Sequence, residues 1–435
     1  MLITIECVIL TLQAVAAVQI ALESPVGITS QSSNRLSKRS PVELGGDVAQ
    51  CYAIKSNVNG ISLGLQVDSA ISSIVVPLPS SSSDVSLTPQ HTPSGEPVTI
   101  KYKGDEYNGI TSTADVTIPG TRITDINLPI LAVEKQSADL VGIDPNLDGI
   151  FGFGYPLLSK HHSRITAMDI LYSNNVIPNN EISIQLCPYD MTSDSFINIG
   201  NTEITAKCGT DGKSVAWIQS PTTDHHTVNI KNILVNDKQV DLPEEFQQVV
   251  ENGRTLYSYL QTCSTYMIFP KVVVATLVDA IVGSNAIIFK MFSQTPVTDD
   301  NRNSVVTIKL GPRDYIQRYD SEDCKFAIKA GSNDKAILGI PFMTRLELSF
   351  DRAHKRIGFG PGCGCEVATD GYPTISDHYR VLWPSSQLPE QPSTSGSDGT
   401  FIRRRKPTTT TDQVAVPENT HHTVKSHKQT LNKLD

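Results

Sequence analysis

The sequence predicts an all-β protein of two similar lobes, and three observations carry that expectation. Short runs with period-two alternation, rich in Val, Ile, Thr and Ser and cut by Gly, Pro, Asn and Asp, recur from Tyr52 to about Gly209. A second such set runs from about Thr210 to Glu366, and each set is interrupted by one helical stretch, the pattern of an internal duplication diverged past identity. With 435 residues, 39% hydrophobic and 19% charged, the chain can bury a core large enough for both halves.

The first set reads ISLGLQVDS, SIVVPLP, VTIKYKG, ADVTIPG, INLPILAV, EISIQL and SFINIG. Its helix is expected over SRITAMDILYSNN, with Ser163 as the cap and apolar Ile165, Met168, Ile170 and Leu171. The second set includes TVNIKNILVN, LYSYLQT, SVVTIKL and RLELSFD. Its helix, KVVVATLVDAIVG, follows directly on a Phe-Pro pair.

Residues 1–21 are apolar and carry Ala14, Ala16 and Ala17 where a signal peptidase needs small side chains, so a secretory signal peptide is expected. Glu6 and the lack of a leading basic residue leave an uncleaved anchor as the alternative. Lys38-Arg39 fits dibasic processing and would end a short prosegment, 22–39. The N-terminal lobe is then 40–209 and the C-terminal lobe 210–366. Residues 367–435 are dominated by Ser, Thr, Pro, Gly and charge, which predicts a disordered tail whose Arg403–Lys406 cluster is solvated.

Thirty-six Lys and Arg against 45 Asp and Glu give a formal charge of −9, which argues against an electrostatic nucleic-acid binder. Eight cysteines, of which Cys7 would leave with the signal, fit an oxidising compartment. Cys187 and Cys208 flank one hairpin and could pair; Cys363 and Cys365 could tether to Cys51 or Cys324. The paired histidines, His161-His162, His225-His226 and His421-His422, lack metal-ligand spacing and read as solvated loop residues. No metal and no cofactor is expected, and a monomer is.

Four stretches stand in one order. LQVDSAISSIVVPLP surrounds Asp68, IKYKGDEYNGI holds Tyr102 and Gly109, DGIFGFGYP spans Asp148 to Pro156, and AILGIPFMTRLELSFDRAHKRIGFGPG begins at Ala336. Together they resemble the pepsin-like aspartic proteases from about Ser40 to Gly362. That resemblance implies a bilobal β protein with a cleft between the lobes and a hairpin flap over it. It makes Asp68 the first catalytic aspartate and puts Tyr102 and Gly109 at the flap tyrosine and its far glycine.

The chemistry of that family needs two carboxylates so close that they cannot both ionise readily. One member serves as base on a water while the other donates to the scissile carbonyl. Around Asp68 the family's Thr-Gly-Ser becomes Ser69, Ala70 and Ile71. A methyl at Ala70 is tolerable where the backbone needs no positive φ, and Ile71 loses a supporting hydroxyl.

The family's second Asp-Thr-Gly-Thr-Ser aligns with Gln261, Thr262, Cys263, Ser264 and Thr265, ahead of Pro270. Glutamine has no titratable proton at working pH and cannot share one with Asp68. The expectation is a secreted homologue that is inactive or nearly so, with a cleft, including Ser69 and Thr262, that binds a peptide or protein. The alternative is a weak acid endopeptidase working through Asp68. Cys263 is read as buried or disulfide-bonded rather than nucleophilic.

Overall fold

The computed structural model describes residues 18–21 (backbone), 51–77, 95–102, 105–119, 121–133, 149–160, 164–187, 195–200, 215–248, 253–281, 286–318, 324–362, 371–378 and 380–382. Lys38-Arg39, Ser163, Cys208, Cys363, Cys365, His161-His162, His421-His422 and the Arg403–Lys406 cluster lie outside them.

Strands dominate, and the expected runs form them. In the first half a seven-stranded sheet is built around Ile61–Asp68, which pairs in parallel with Gly149–Gly152 so that Asp68 stands opposite Gly152. Ile74–Pro77 lies antiparallel on the other side of Gly149–Gly152 and parallel to Ile126–Val133. The second half repeats the arrangement. Ser258–Leu260 runs parallel to Ile337–Leu338, Met267–Pro270 lies antiparallel to that strand, and Ile328–Gly331 runs parallel to Met267–Pro270.

Ile74–Pro77 and Met267–Pro270 are separated by one constant offset, 267 − 74 = 193 and 270 − 77 = 193. Two glycines share it through their neighbours. A Cβ at Gly152 would strike the carbonyls of Ile71 and Ser73, and one at Gly339 those of Ser264 and Tyr266. The duplication survives in backbone packing after the side chains have diverged.

A six-stranded sheet joins the halves: Phe196–Ile199 and Glu181–Gln185 from the first pair onward to Leu346–Asp351, Arg356–Pro361 and Ala216–Gln219 from the second. Its outer strand is Val18–Ala21, antiparallel to Phe196–Ile199. Residues assigned to the end of a signal peptide are thus part of the sheet. In Leu346–Asp351 the core takes Leu346, Leu348 and Phe350, and the opposite face carries Glu347, Ser349 and Asp351, also buried.

A further six-stranded sheet is completed by Thr374–Asp377 and Arg380–Leu382. This corrects the tail boundary expected at residue 367. Ile375 and Leu382 bury against the core, and composition averaged over a long tail conceals so short an alternating segment. The first helix, Ala167–Ser173, is capped by Thr166 rather than Ser163: Thr166 Oγ1 accepts from Asp169 N–H (3.3 Å), and Asp169 Oδ2 accepts from Thr166 N–H (3.2 Å). The second helix, Lys271–Ile281, begins directly after Phe269-Pro270.

Candidate functional site

Asp68 closes its strand because the chain must turn there. Phe153 N–H donates to Asp68 O (3.1 Å) and Gly154 N–H to Ile71 O (2.7 Å), fixing the loop that leads into Ile74–Pro77. The loop after Leu260 is held alike, with Gln261 N–H on Leu338 O (3.0 Å) and Ile340 N–H on Ser264 O (2.7 Å).

The two loops meet head to head through four buried hydrogen bonds. Ser69 N–H donates to Thr262 Oγ1 (3.0 Å) and Thr262 N–H to Ser69 Oγ (3.1 Å). Each hydroxyl then donates across the junction, Ser69 to Leu260 O (2.9 Å) and Thr262 to Val67 O (2.8 Å). Only a hydroxyl can accept and donate in this way, so Ser69 fully replaces a threonine here. At roughly 1 kcal/mol net per bond, the junction is a firm hinge-free contact between the halves.

Asp68 is fully buried beside this junction. Its Oδ1 accepts from Ala70 N–H (2.7 Å), and Oδ2 accepts from the Tyr102 hydroxyl (2.9 Å). Ala70 is not among the residues with positive φ, so its methyl group is accommodated. Burial, reinforced by the Asp68 charge, holds the Tyr102 hydroxyl well above its ordinary pKa, and it remains a donor.

Tyr102 ends the strand Pro97–Tyr102, which pairs with Asp105–Thr117 to make the flap. The inward face of this hairpin is apolar: Ile100, Tyr102 and Tyr107 pack with Val75, Leu131, Val133 and Ile150, and Ile71 and Val98 lie against them. Ile71, which loses a hydroxyl, supplies apolar contact under the flap instead. Outward, Lys101 pairs with Glu106 and Thr99 bonds to Asn108. Gly109 sits further down, paired with Val98 and Val133, where a Cβ would collide with the Ala132 carbonyl.

Cys263 is disulfide-bonded to Cys51, with Cα atoms 4.8 Å apart. Cys51 therefore does not tether the GCGC segment. The ladder explains why: Ala53 pairs with Gln66, so Cys51 falls level with Asp68, and the Ser69–Thr262 junction brings Cys263 to the same place. Cys263 Sγ is 3.4 Å from the Tyr102 oxygen and 3.2 Å from Gln66 Oε1. Cys187 is disulfide-bonded as well.

Gln261 follows Leu260 into the same loop and is half-buried, and among the described residues its side-chain amide has no hydrogen-bond partner. Tyr259, which sequence reasoning missed, lies within reach of the Asp68 charge; burial first, then that charge, push its pKa up to about 12. The same offset could have found it, since 259 − 193 = 66 makes it the second-half counterpart of Gln66, two residues before the Asp68 position.

His226 corrects the reading of the histidine pairs. It is fully buried against Phe153, Tyr155 and Phe350, with ring centroids 5.6, 4.7 and 4.6 Å away, because its backbone carbonyl must accept from Leu260 N–H at the junction. Glu181, Asp351 and His354 also cluster, but Asp351 already accepts from Arg356 Nε (2.7 Å) and pairs with His354 Nδ1 (2.7 Å).

The chain matches the family described as eukaryotic aspartyl protease over residues 79–362, which is 284 of 435 positions. The matched span includes Tyr102, Gly109, Gln261 and Thr262, and begins after Asp68 and Ser69.

Proposed function

Since the chain belongs to the eukaryotic aspartyl protease family, we propose that it is a secreted, non-catalytic member whose cleft binds a peptide or protein segment. The observation that carries this reading is the identity of residue 261. A glutamine occupies the loop position level with Asp68 across the Ser69–Thr262 junction. Its amide cannot serve as the second carboxylate, yet it is free to donate to or accept from a bound peptide backbone. Loss of a positioned acid or base removes about 10²–10⁴ in rate, and here both roles depend on the missing partner.

The test is cleavage of denatured proteins at acid pH. The natural protein is expected to give no pepstatin-sensitive products, while Gln261→Asp should gain them, made in a background that also carries Cys263→Gly and Cys51→Ser. Pepstatin-sensitive cleavage by the natural protein that is lost in Asp68→Ala would replace this reading with that of a weak acid endopeptidase.

Secretion is supported by the apolar leader and by the disulfide at the site. Because Val18–Ala21 is a strand of the joining sheet, cleavage of the leader is expected no later than residue 17 in a molecule that keeps this strand. Non-reducing peptide mapping of protein collected from culture medium should find a Cys51–Cys263 linkage, with an N-terminal peptide beginning at or before Val18 in molecules that keep the strand and at Ser40 in those cut after Lys38-Arg39. Intracellular retention, or Cys263 recovered as a free thiol, would contradict the proposal.

A further inference from the structure

The centre of the cleft is filled by the protein itself, and we propose that Tyr102, Asp68 and the Cys51–Cys263 disulfide form a latch that holds the flap shut. The latch deepens the reading of a cleft that binds without cutting and rests on it. Three observations carry it.

First, the Tyr102 hydroxyl donates to Asp68 Oδ2 at 2.9 Å, and Asp68 has no exposed surface. A ligand that reaches this carboxylate must displace the tyrosine. Second, the same hydroxyl oxygen is 3.4 Å from Cys263 Sγ, and Cys263 is bonded to Cys51, which lies just ahead of the strand Ala53–Val58 that pairs with the Asp68 strand. The seat of the tyrosine is thus cross-linked between the two halves of the molecule, and the sulfur takes up space a glycine would leave open.

Third, the flap is amphipathic, with Ile100, Tyr102 and Tyr107 buried on the inside and the Lys101–Glu106 and Thr99–Asn108 pairs outside. Lifting it exposes two tyrosines and an isoleucine to water, which opposes opening even before the hydrogen bond is counted. The closed form is therefore the resting state, and the apparent affinity of a cleft ligand is reduced by the small fraction of open molecules. A ligand opens the latch by offering Asp68 another donor, a hydroxyl or an amide N–H, in place of Tyr102.

Hydroxyl-radical footprinting read by mass spectrometry measures this directly, because Tyr107 is shielded only while the flap is down. In Tyr102→Phe, oxidation of Tyr107 should rise roughly tenfold, as expected when one hydrogen bond to a charged group is lost from a local opening equilibrium, and it should also rise in the Cys51→Ser, Cys263→Ser double variant, where the seat of the tyrosine is no longer cross-linked. Oxidation of Phe151, in the core beneath, should stay at the natural level. Asp68→Ala keeps the tyrosine and removes its acceptor, and should give the same Tyr107 result.

Unchanged oxidation of Tyr107 in Tyr102→Phe and Asp68→Ala would overturn the latch while leaving the non-catalytic reading intact. A parallel rise at Phe151 in both would also overturn it, since the bond would then serve the fold rather than the flap. Pepstatin-sensitive cleavage by Tyr102→Phe would leave the latch standing and defeat the non-catalytic reading.

Discussion

Replacing Arg352 with methionine is expected to destabilise the folded protein by about 3–5 kcal/mol, the cost of breaking a buried, hydrogen-bonded charge network from one side. Arg352 lies just past Leu346–Asp351 in the second half and reaches into the first. Its Nη2 donates to Gly154 O (3.0 Å) and Thr166 Oγ1 (3.0 Å), and its Nη1 to Asp169 Oδ1 (3.2 Å) and to Asn180. Methionine fills much of the volume but leaves these acceptors without their donor. Gly154 belongs to the turn that fixes the Asp68 loop, and Thr166 and Asp169 form the helix cap. Urea unfolding of the two proteins at one pH measures the difference. A loss under about 1 kcal/mol, typical of an exposed ion pair, would show that the network is not what joins the halves.

The second large effect is in pH dependence, and two buried groups set it in opposite directions. Glu347 is buried with no hydrogen-bond partner for either carboxylate oxygen among the described residues, and desolvation pushes its pKa from 4.5 up to about 8. A raised carboxyl favours folding while it is neutral. Its contribution is fully present below pH 4.5 and is lost as pH rises toward 8. His226 is the converse: burial first, then the neighbouring Arg352 and His225 charges, lower its pKa from 6.5 to about 3. Its contribution is full above pH 6.5 and is lost as pH falls toward 3.

Between pH 4.5 and 6.5 the two slopes cancel, and stability should form a plateau there. Each arm outside it amounts to roughly 2 kcal/mol over about 1.5 pH units, at about 1.4 kcal/mol per unit. Thermal unfolding from pH 3 to 9 should therefore show Glu347→Gln flattening the arm above pH 6.5 and turning the plateau into a rise with pH, and His226→Phe flattening the arm below pH 4.5 and turning the plateau into a fall with pH. Variant curves that run parallel to the natural one would mean that both groups titrate as they do in the unfolded chain.

Much of the architecture was legible in the chain because strand periodicity is a local property. Runs such as ISLGLQVDS and RLELSFD alternate over a few residues, and they became Ile61–Asp68 and Leu346–Asp351. Where reading failed, the deciding partner was distant or the segment was short. The Thr166 cap was missed for Ser163 although Thr166 and Asp169 carry the capping-box spacing. The strands at Thr374–Asp377 and Arg380–Leu382 were hidden by the composition of the tail around them.

The sequence by itself determined the two-lobed β plan, the family resemblance, the glutamine at 261 and the 193-residue spacing from Asp68, which is also the spacing of the bonded Ser69 and Thr262. Side-chain identity and short-range pattern suffice for those. Only the tertiary structure decided that Cys51 pairs with Cys263 across 212 residues, that Tyr102 lies on Asp68, and that His226 and Glu347 are buried. The physical reason is that pairing and burial depend on which loops the topology brings together, and loops far apart in the chain meet here through sheet register and the Ser69–Thr262 junction.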